Sequence, residues 1–233
     1  MRVEELRNYG KGFVDFWADP ELIGQMRGMM SGELRRQLGL IGMMRLWWRM
    51  RKEVNRMRKH DWLRLRERGL TDQNSLDQLI QSMAMMKALA DMMGMEKASE
   101  VQRKLWDNTT YELMSSVSPS VEDVQACGDF LECFKEYMNA MNAANVRAGL
   151  HEVEIAEDTD DVFQVNYKYC AWHEVAKEFG DANLCYPSSC YPDEVWLPRY
   201  CAQAGFQFKR TGTLATGAPV CDFRFERVAG GSS

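Results

Sequence analysis

His151-Glu152-Val153-Glu154-Ile155 and Val162-Phe163-Gln164-Val165-Asn166-Tyr167-Lys168-Tyr169 alternate apolar with polar side chains, and the change of period that starts at Leu150 decides the fold. Successive side chains of a strand point to opposite faces, so a period of two marks a half-buried strand. The acidic run Glu157-Asp158-Thr159-Asp160-Asp161 joins the two segments and predicts a hairpin. It lacks calcium-loop spacing and reads as an exposed polar turn.

Upstream of Leu150 the period is helical. Leu76, Leu79, Ile80, Met83, Met86, Leu89 and Met93 recur at helical spacing, after a capping box at Ser75-Leu76-Asp77-Gln78 and before a stop at Gly94. A second helix is expected from Lys97 to Met114. A third starts after Ser120, carries the stripe Val124, Cys127, Leu131, Phe134, Met138, Met141 and Asn145, and closes at Gly149. Such methionine-rich stripes fill cores more often than they line binding grooves. Downstream, a short helix from Ala171 to Phe179 ends at Gly180, and another begins near Asp193, bends at Pro198 and closes at Gly205. Two strands, Phe206 to Leu214 and Val220 to Val228, flank the turn Thr216-Gly217-Ala218-Pro219. The class is therefore α+β, a helical N-terminal half followed by a small antiparallel sheet with two short helices.

The organisation follows. Residues 1–70 read as a basic helical N-terminal extension: a loosely helical lead-in with a turn at Asp19-Pro20, then a long helix from Glu33 to Glu67 interrupted at Gly39 and Gly42. The turn cluster Gly69-Leu70-Thr71-Asp72-Gln73-Asn74 marks the boundary. Residues 71–228 form one α+β domain, with helices over 75–149 and the sheet region over 150–228, and 229–233 read as a flexible tail.

The chain has 233 residues and a net charge of −5, but the charge is uneven. Between Arg27 and Arg68 thirteen Lys/Arg face four Asp/Glu, a net of +9, so the remainder carries −14. In Met43-Met44-Arg45-Leu46-Trp47-Trp48-Arg49-Met50-Arg51-Lys52 the cations are interleaved with large apolar residues. A helix of that kind lies on a lipid headgroup layer, packs on an acidic partner helix, or folds back on the protein's own acidic half. Nucleic acid is not an expected partner, since the overall charge is negative and no reader motif is present. The exposed Met- and Trp-rich helices suit a homodimer. No apolar run reaches the eighteen or so residues of a membrane span, and Met1-Arg2-Val3-Glu4-Glu5 does not open a secretory signal. A cytoplasmic protein is expected.

Seven cysteines, an odd number, fit free thiols better than a disulfide framework. Cys127 and Cys133 fall within a helical pattern and read as small core residues. Cys170, Cys190 and Cys221 fall where strands and helices meet. Cys190 precedes a helix, whose dipole favours a thiolate. His173 lies one helical turn after Cys170 and suits a general base. Asp193 and Asp222 can orient that histidine or bind an amidine, and Arg210 can grip a carboxylate. Cys185 could resolve an oxidised Cys190. The same atoms allow another reading, a Cys₃His zinc site from Cys170, His173, Cys190 and Cys221, and a third in which the thiols are merely buried. No phosphate loop, dinucleotide fingerprint or nucleophile elbow is present, so no cofactor is expected beyond that zinc alternative.

Cys170 with its following helix to Gly180, then Cys190-x-x-Asp193, then Arg210-Thr211-x-Thr213-Leu214-x-x-Gly217-Ala218-x-x-Cys221-Asp222-Phe223-Arg224, resembles the L-2-amino-thiazoline-4-carboxylic acid hydrolase family. The likeness spans roughly residues 160–228, with looser helical similarity from about 75. It implies a small-molecule substrate and hydrolytic opening of a cyclic amidine: water adds at the C=N carbon of a 2-aminothiazoline, giving an N-carbamoyl cysteine. On that reading the catalytic set is Cys190, Asp193, His173 and Cys221. Cys190 attacks the ring carbon and His173 moves the proton. The substrate-binding set is Arg210, Thr211, Gly217, Asp222 and Cys170, with Arg210 on the ring carboxylate and backbone donors near Gly217 steadying the developing charge. The alternative is a non-catalytic small-molecule-binding or sensor domain.

Overall fold

In a computed structural model, which describes residues 1–16 and 19–228, seven helices precede a four-stranded sheet. The predicted tail, 229–233, lies outside the described residues. The helices are α1 (Val3–Phe16), α2 (Pro20–Met57), α3 (Leu63–Glu67), α4 (Gln73–Met93), α5 (Met95–Val117), α6 (Val121–Gln125) and α7 (Phe130–Arg147). The hairpin β1 (His151–Asp158) and β2 (Val162–Cys170) follows, then α8 (Ala171–Glu178), a 3₁₀ turn (Ala182–Leu184), a π-helical turn (Tyr186–Cys190) and α9 (Tyr191–Ala202). The chain ends in β3 (Phe206–Lys209), a 3₁₀ turn (Leu214–Thr216) and β4 (Cys221–Arg227). The α+β class and the helical first half are as the sequence predicts.

Several boundaries differ, each for a local reason. The long helix begins at Pro20, because Asp19 caps it by accepting from the Glu21 and Leu22 amides. It is broken at Gly39 alone, where φ of 67° and ψ of 178° leave the helical region. Asp72, not Ser75, caps α4, accepting from Ser75 N at 2.6 Å. The predicted third helix is two, since Asp129 restarts it as α7 by accepting from the Leu131 and Glu132 amides. The strand expected to reach Leu214 stops at Lys209.

The sheet order is β1-β2-β4-β3, antiparallel throughout. Two hydrophobic cores flank the site. One gathers Leu46, Val54 and Met57 of α2, the methionine face of α4, and Cys185 and Cys190. The other packs Phe134 and Tyr137 of α7 on Phe163, Val165 and Phe225 of the sheet. Full burial of each such side chain contributes about 1.5–3 kcal/mol. Gly149 joins α7 to β1 in a tight approach: with φ of 69°, a Cβ there would stand 2.2 Å from Leu70 N. That contact holds the loop after Arg68 against the first residues of β1.

Candidate active site

Cys170 ends β2 and occupies the N-cap position of α8, in extended backbone. His151, the first residue of β1, is its cross-strand partner. The register matters, because paired residues of an antiparallel ladder put their side chains side by side on one face. The imidazole of His151 is stacked on Trp172 at 5.5 Å and meets Tyr167 edge-on at 5.0 Å. Its Nδ1 is buried and finds no hydrogen-bond partner among the described residues.

The electrostatics of the thiols divide them. Burial pushes the pKa of Cys133 up to about 11, and those of Cys201 and Cys221 up to about 12. Cys170 moves the other way, well below the usual thiol range. The neighbouring Cys185 thiol is the main cause; burial opposes it, and the His151 imidazole and the His173 amide assist. That amide approaches from the first turn of α8 without closing a cap hydrogen bond of regular geometry. Cys185 is driven upward in turn, since its proton is held between Cys170 and Cys190. The Cys185 and Cys190 sulfurs lie 4.0 Å apart.

Cys190 itself is buried, and the helix after it begins at Tyr191 rather than Asp193. A π-helical turn runs into it from Tyr186, so it does not stand at an open helix N-terminus. Asp193 pairs with Arg210 at 2.9 Å. Burial raises its pKa to about 6 against the pull of Arg210 and of His151; the side chain keeps 35% of its surface, so water moderates that rise. Arg210 is enclosed, donating also to Glu194 at 2.7 Å and to the Cys190 carbonyl at 2.9 Å. It lies over the Phe223 ring at 5.2 Å. Its burial works against the charge, but the two carboxylates keep it cationic. Arg210 therefore ties the start of α9 to the sheet, and its fork is already occupied.

The family-like segment after Arg210 is a built loop. Asp222 accepts from the Thr211 and Gly212 amides and from the Thr211 hydroxyl at 2.6–3.1 Å. Those bonds outweigh burial and hold its carboxyl below the usual range. Thr213 and Thr216 cap one another around the 3₁₀ turn. Gly217 closes that turn in the left-handed region, and its amide and that of Ala218 bond to the Leu214 and Thr213 carbonyls. These two donors are thus spent within the loop. Cys221 Sγ accepts from Leu214 N at 3.2 Å. His173 is half-buried on α8, its pKa lowered by burial and by Lys177 one turn on.

Sequence reading alone passed over His151 and Arg68. A groove of about 670 Å³ runs between α7 and the hairpin, and His151 lines it together with Arg68, Asn139, Asn142, Glu152 and Tyr169. Asn142 there accepts from the Tyr167 hydroxyl at 2.8 Å. Arg68 lies 4.3 Å over the Tyr169 ring, and its one carboxylate contact among the described residues, Glu152 at 3.4 Å, is long and half-exposed. Among the described residues no group of three or more His, Cys, Asp or Glu is placed to hold a metal ion, so Cys170, His173, Cys190 and Cys221 do not assemble as a zinc site. All seven cysteines are free.

A family model described as L-2-amino-thiazoline-4-carboxylic acid hydrolase matches residues 73–225, well over half of the chain. No curated protein and no solved structure matches it.

Proposed function

Since the chain belongs to the L-2-amino-thiazoline-4-carboxylic acid hydrolase family, we propose that it opens a 2-aminothiazoline-4-carboxylate-like cyclic amidine by thiol-assisted addition of water, with Cys170 as the nucleophile. The observation that carries this reading is the cross-strand pairing of Cys170 with His151, and the lowered pKa of the Cys170 thiol agrees with it. Asp193 stands within electrostatic reach of both. A thiol beside an imidazole, with a carboxylate near both, is the arrangement nucleophilic acyl-type chemistry needs.

The steps balance as follows. The Cys170 thiolate adds to the ring carbon between nitrogen and sulfur, forming a C–S bond to the enzyme. The ring carbon–sulfur bond breaks, and the departing substrate sulfur takes a proton from the His151 imidazolium. Water then attacks the same carbon, giving a proton to His151, and Cys170 leaves as thiolate. The second proton of that water passes to the former ring nitrogen, which yields the N-carbamoyl cysteine. The groove that His151 lines reaches Cys170 only through this cross-strand partner; on this reading it is the binding surface, with the Arg68 guanidinium for the carboxylate and the Asn139 and Asn142 amides for the polar edge of the ring. Cys185 favours the ionised form of Cys170, and Arg210 positions Asp193. Free thiols fit a reducing, cytoplasmic setting.

The test is direct. Incubation with L-2-aminothiazoline-4-carboxylate should release one titratable thiol per ring opened, with N-carbamoyl cysteine identified by mass. No thiol release from this substrate, or from related cyclic amidines, by protein with intact circular dichroism overturns the proposal.

A further inference from the structure

The Gly39 break makes the second half of α2 a separate rod, and that rod has two apolar faces. One is the core face, where Leu46, Val54 and Met57 are buried and Met43 and Met50 pack beside them. The other faces solvent. Leu40, Ile41, Met44, Trp47 and Trp48 are 56–71% exposed, within three turns. At 100° per residue these five fall on one arc, whose edge is taken by Lys52, Arg45 and Arg49. Arg51 lies within the arc and covers the Trp47 ring at 5.3 Å. No acidic residue interrupts 40–52, which holds four cations.

We propose that this face of α2 docks the protein on an anionic phospholipid surface, with Trp47, Trp48, Met44, Leu40 and Ile41 inserted at the headgroup–acyl boundary and Arg45, Arg49 and Lys52 on lipid phosphates. An ordinary amphipathic helix turns charge to water, and exposed contiguous apolar side chains mark an interaction surface. Paired tryptophans flanked by cations suit the headgroup layer, where indole rings sit half in water and half in hydrocarbon. Size argues against a second copy as occupant. Thirteen helical residues span about 20 Å, and a strip of that length falls well short of the roughly 800 Å² per partner of a stable protein interface. A bilayer needs no such area, because several cations and inserted side chains together suffice. The helices themselves do not enter further: among the described residues none is long and apolar enough to cross a membrane. This docking is independent of the hydrolase reading, since α2 precedes the residues the family model covers.

Flotation of the full chain with phosphatidylcholine vesicles, with and without phosphatidylserine, tests it, alongside sedimentation velocity without lipid. The protein should float only with the anionic vesicles and release in high salt. Arg45→Glu/Arg49→Glu should lower the partition coefficient by about fivefold or more per cation removed, and Trp47→Ser/Trp48→Ser should lower it at least about tenfold. All four positions are exposed, so circular dichroism should be unchanged in both variants. Absence of flotation with anionic vesicles, or flotation that neither variant weakens, overturns the proposal. So does a dimer that the tryptophan variant dissociates in a protein that ignores vesicles, which would assign the face to a second copy.

Discussion

Cys170 and His151 meet because two irregularities in the β1–β2 ladder cancel. One extra residue on β2, near Lys168, is balanced by one on β1, near Ala156, so His151 returns to the register a plain hairpin would give it. Counting back from the acidic turn was therefore enough to pair them, and the signal was present in the sequence once the hairpin was accepted. Sequence points to Cys190 instead because it precedes a helix, and the π turn that deprives it of an open N-terminus has no periodic signature. Arg68 could not be found from sequence, since only the close approach of Gly149 brings its loop to β1. Brief alkylation at neutral pH, mapped by mass spectrometry, should label Cys170 faster than Cys185, Cys201 or Cys221, whose thiols are held protonated. The Asp193 carboxyl, raised to about 6 in the fold, is stabilising while protonated, and its contribution fades as pH climbs through that value. Relative to Asp193→Asn, the wild-type protein should therefore lose thermal stability between about pH 4 and pH 6, whereas ring opening, which uses the carboxylate, should rise over the same interval. A flat difference in melting temperature across that interval would contradict the assignment.

The elements show where periodicity is a good guide and where turn chemistry overrides it. The apolar stripes of α4 and α5 and the alternation of β1 and β2 were legible, since burial of one face dictates them. Beyond Lys209 the chain still reads as extended, yet the mutual caps of Thr213 and Thr216 and the Asp222 carboxylate fold it into a loop. In a single sequence such side-chain-to-backbone bonds look the same as exposed strand residues. Asp222→Ala should accordingly free the Thr211–Gly212 amides and cost about 1–3 kcal/mol, read as a lowered denaturant midpoint. Gly149→Ala is a harsher change, with its positive φ and a Cβ set 2.2 Å from Leu70 N. It should cost at least about 2 kcal/mol, and, by moving Arg68 away from the hairpin, raise KM for a carboxylate-bearing substrate more than it lowers kcat.

At the scale of the molecule the site is a seam between two cores. Cys185 and Cys190 belong to the core that α2 shares with α4, while Tyr167 and Cys221 belong to the core under the sheet. Trp106 bridges from α5 to the π turn by donating to the Pro187 carbonyl at 3.0 Å. The fold class was legible because helical and alternating periods occupy separate halves of the chain. The strand order was not, since nothing local says that β4 inserts between β2 and β3. Sharing of a core also bears on the basic N-terminal segment: Leu34, Leu46, Val54 and Met57 cover the methionine face of α4, so a chain starting after Met57 should bind a hydrophobic dye and lose near-ultraviolet circular dichroism. The most direct measurement compares turnover of L-2-aminothiazoline-4-carboxylate by Cys170→Ser and Cys190→Ser proteins of matched circular dichroism. Loss of about a thousandfold or more in Cys170→Ser, with Cys190→Ser within about tenfold of wild type, is the predicted result; near-normal turnover by Cys170→Ser would contradict it.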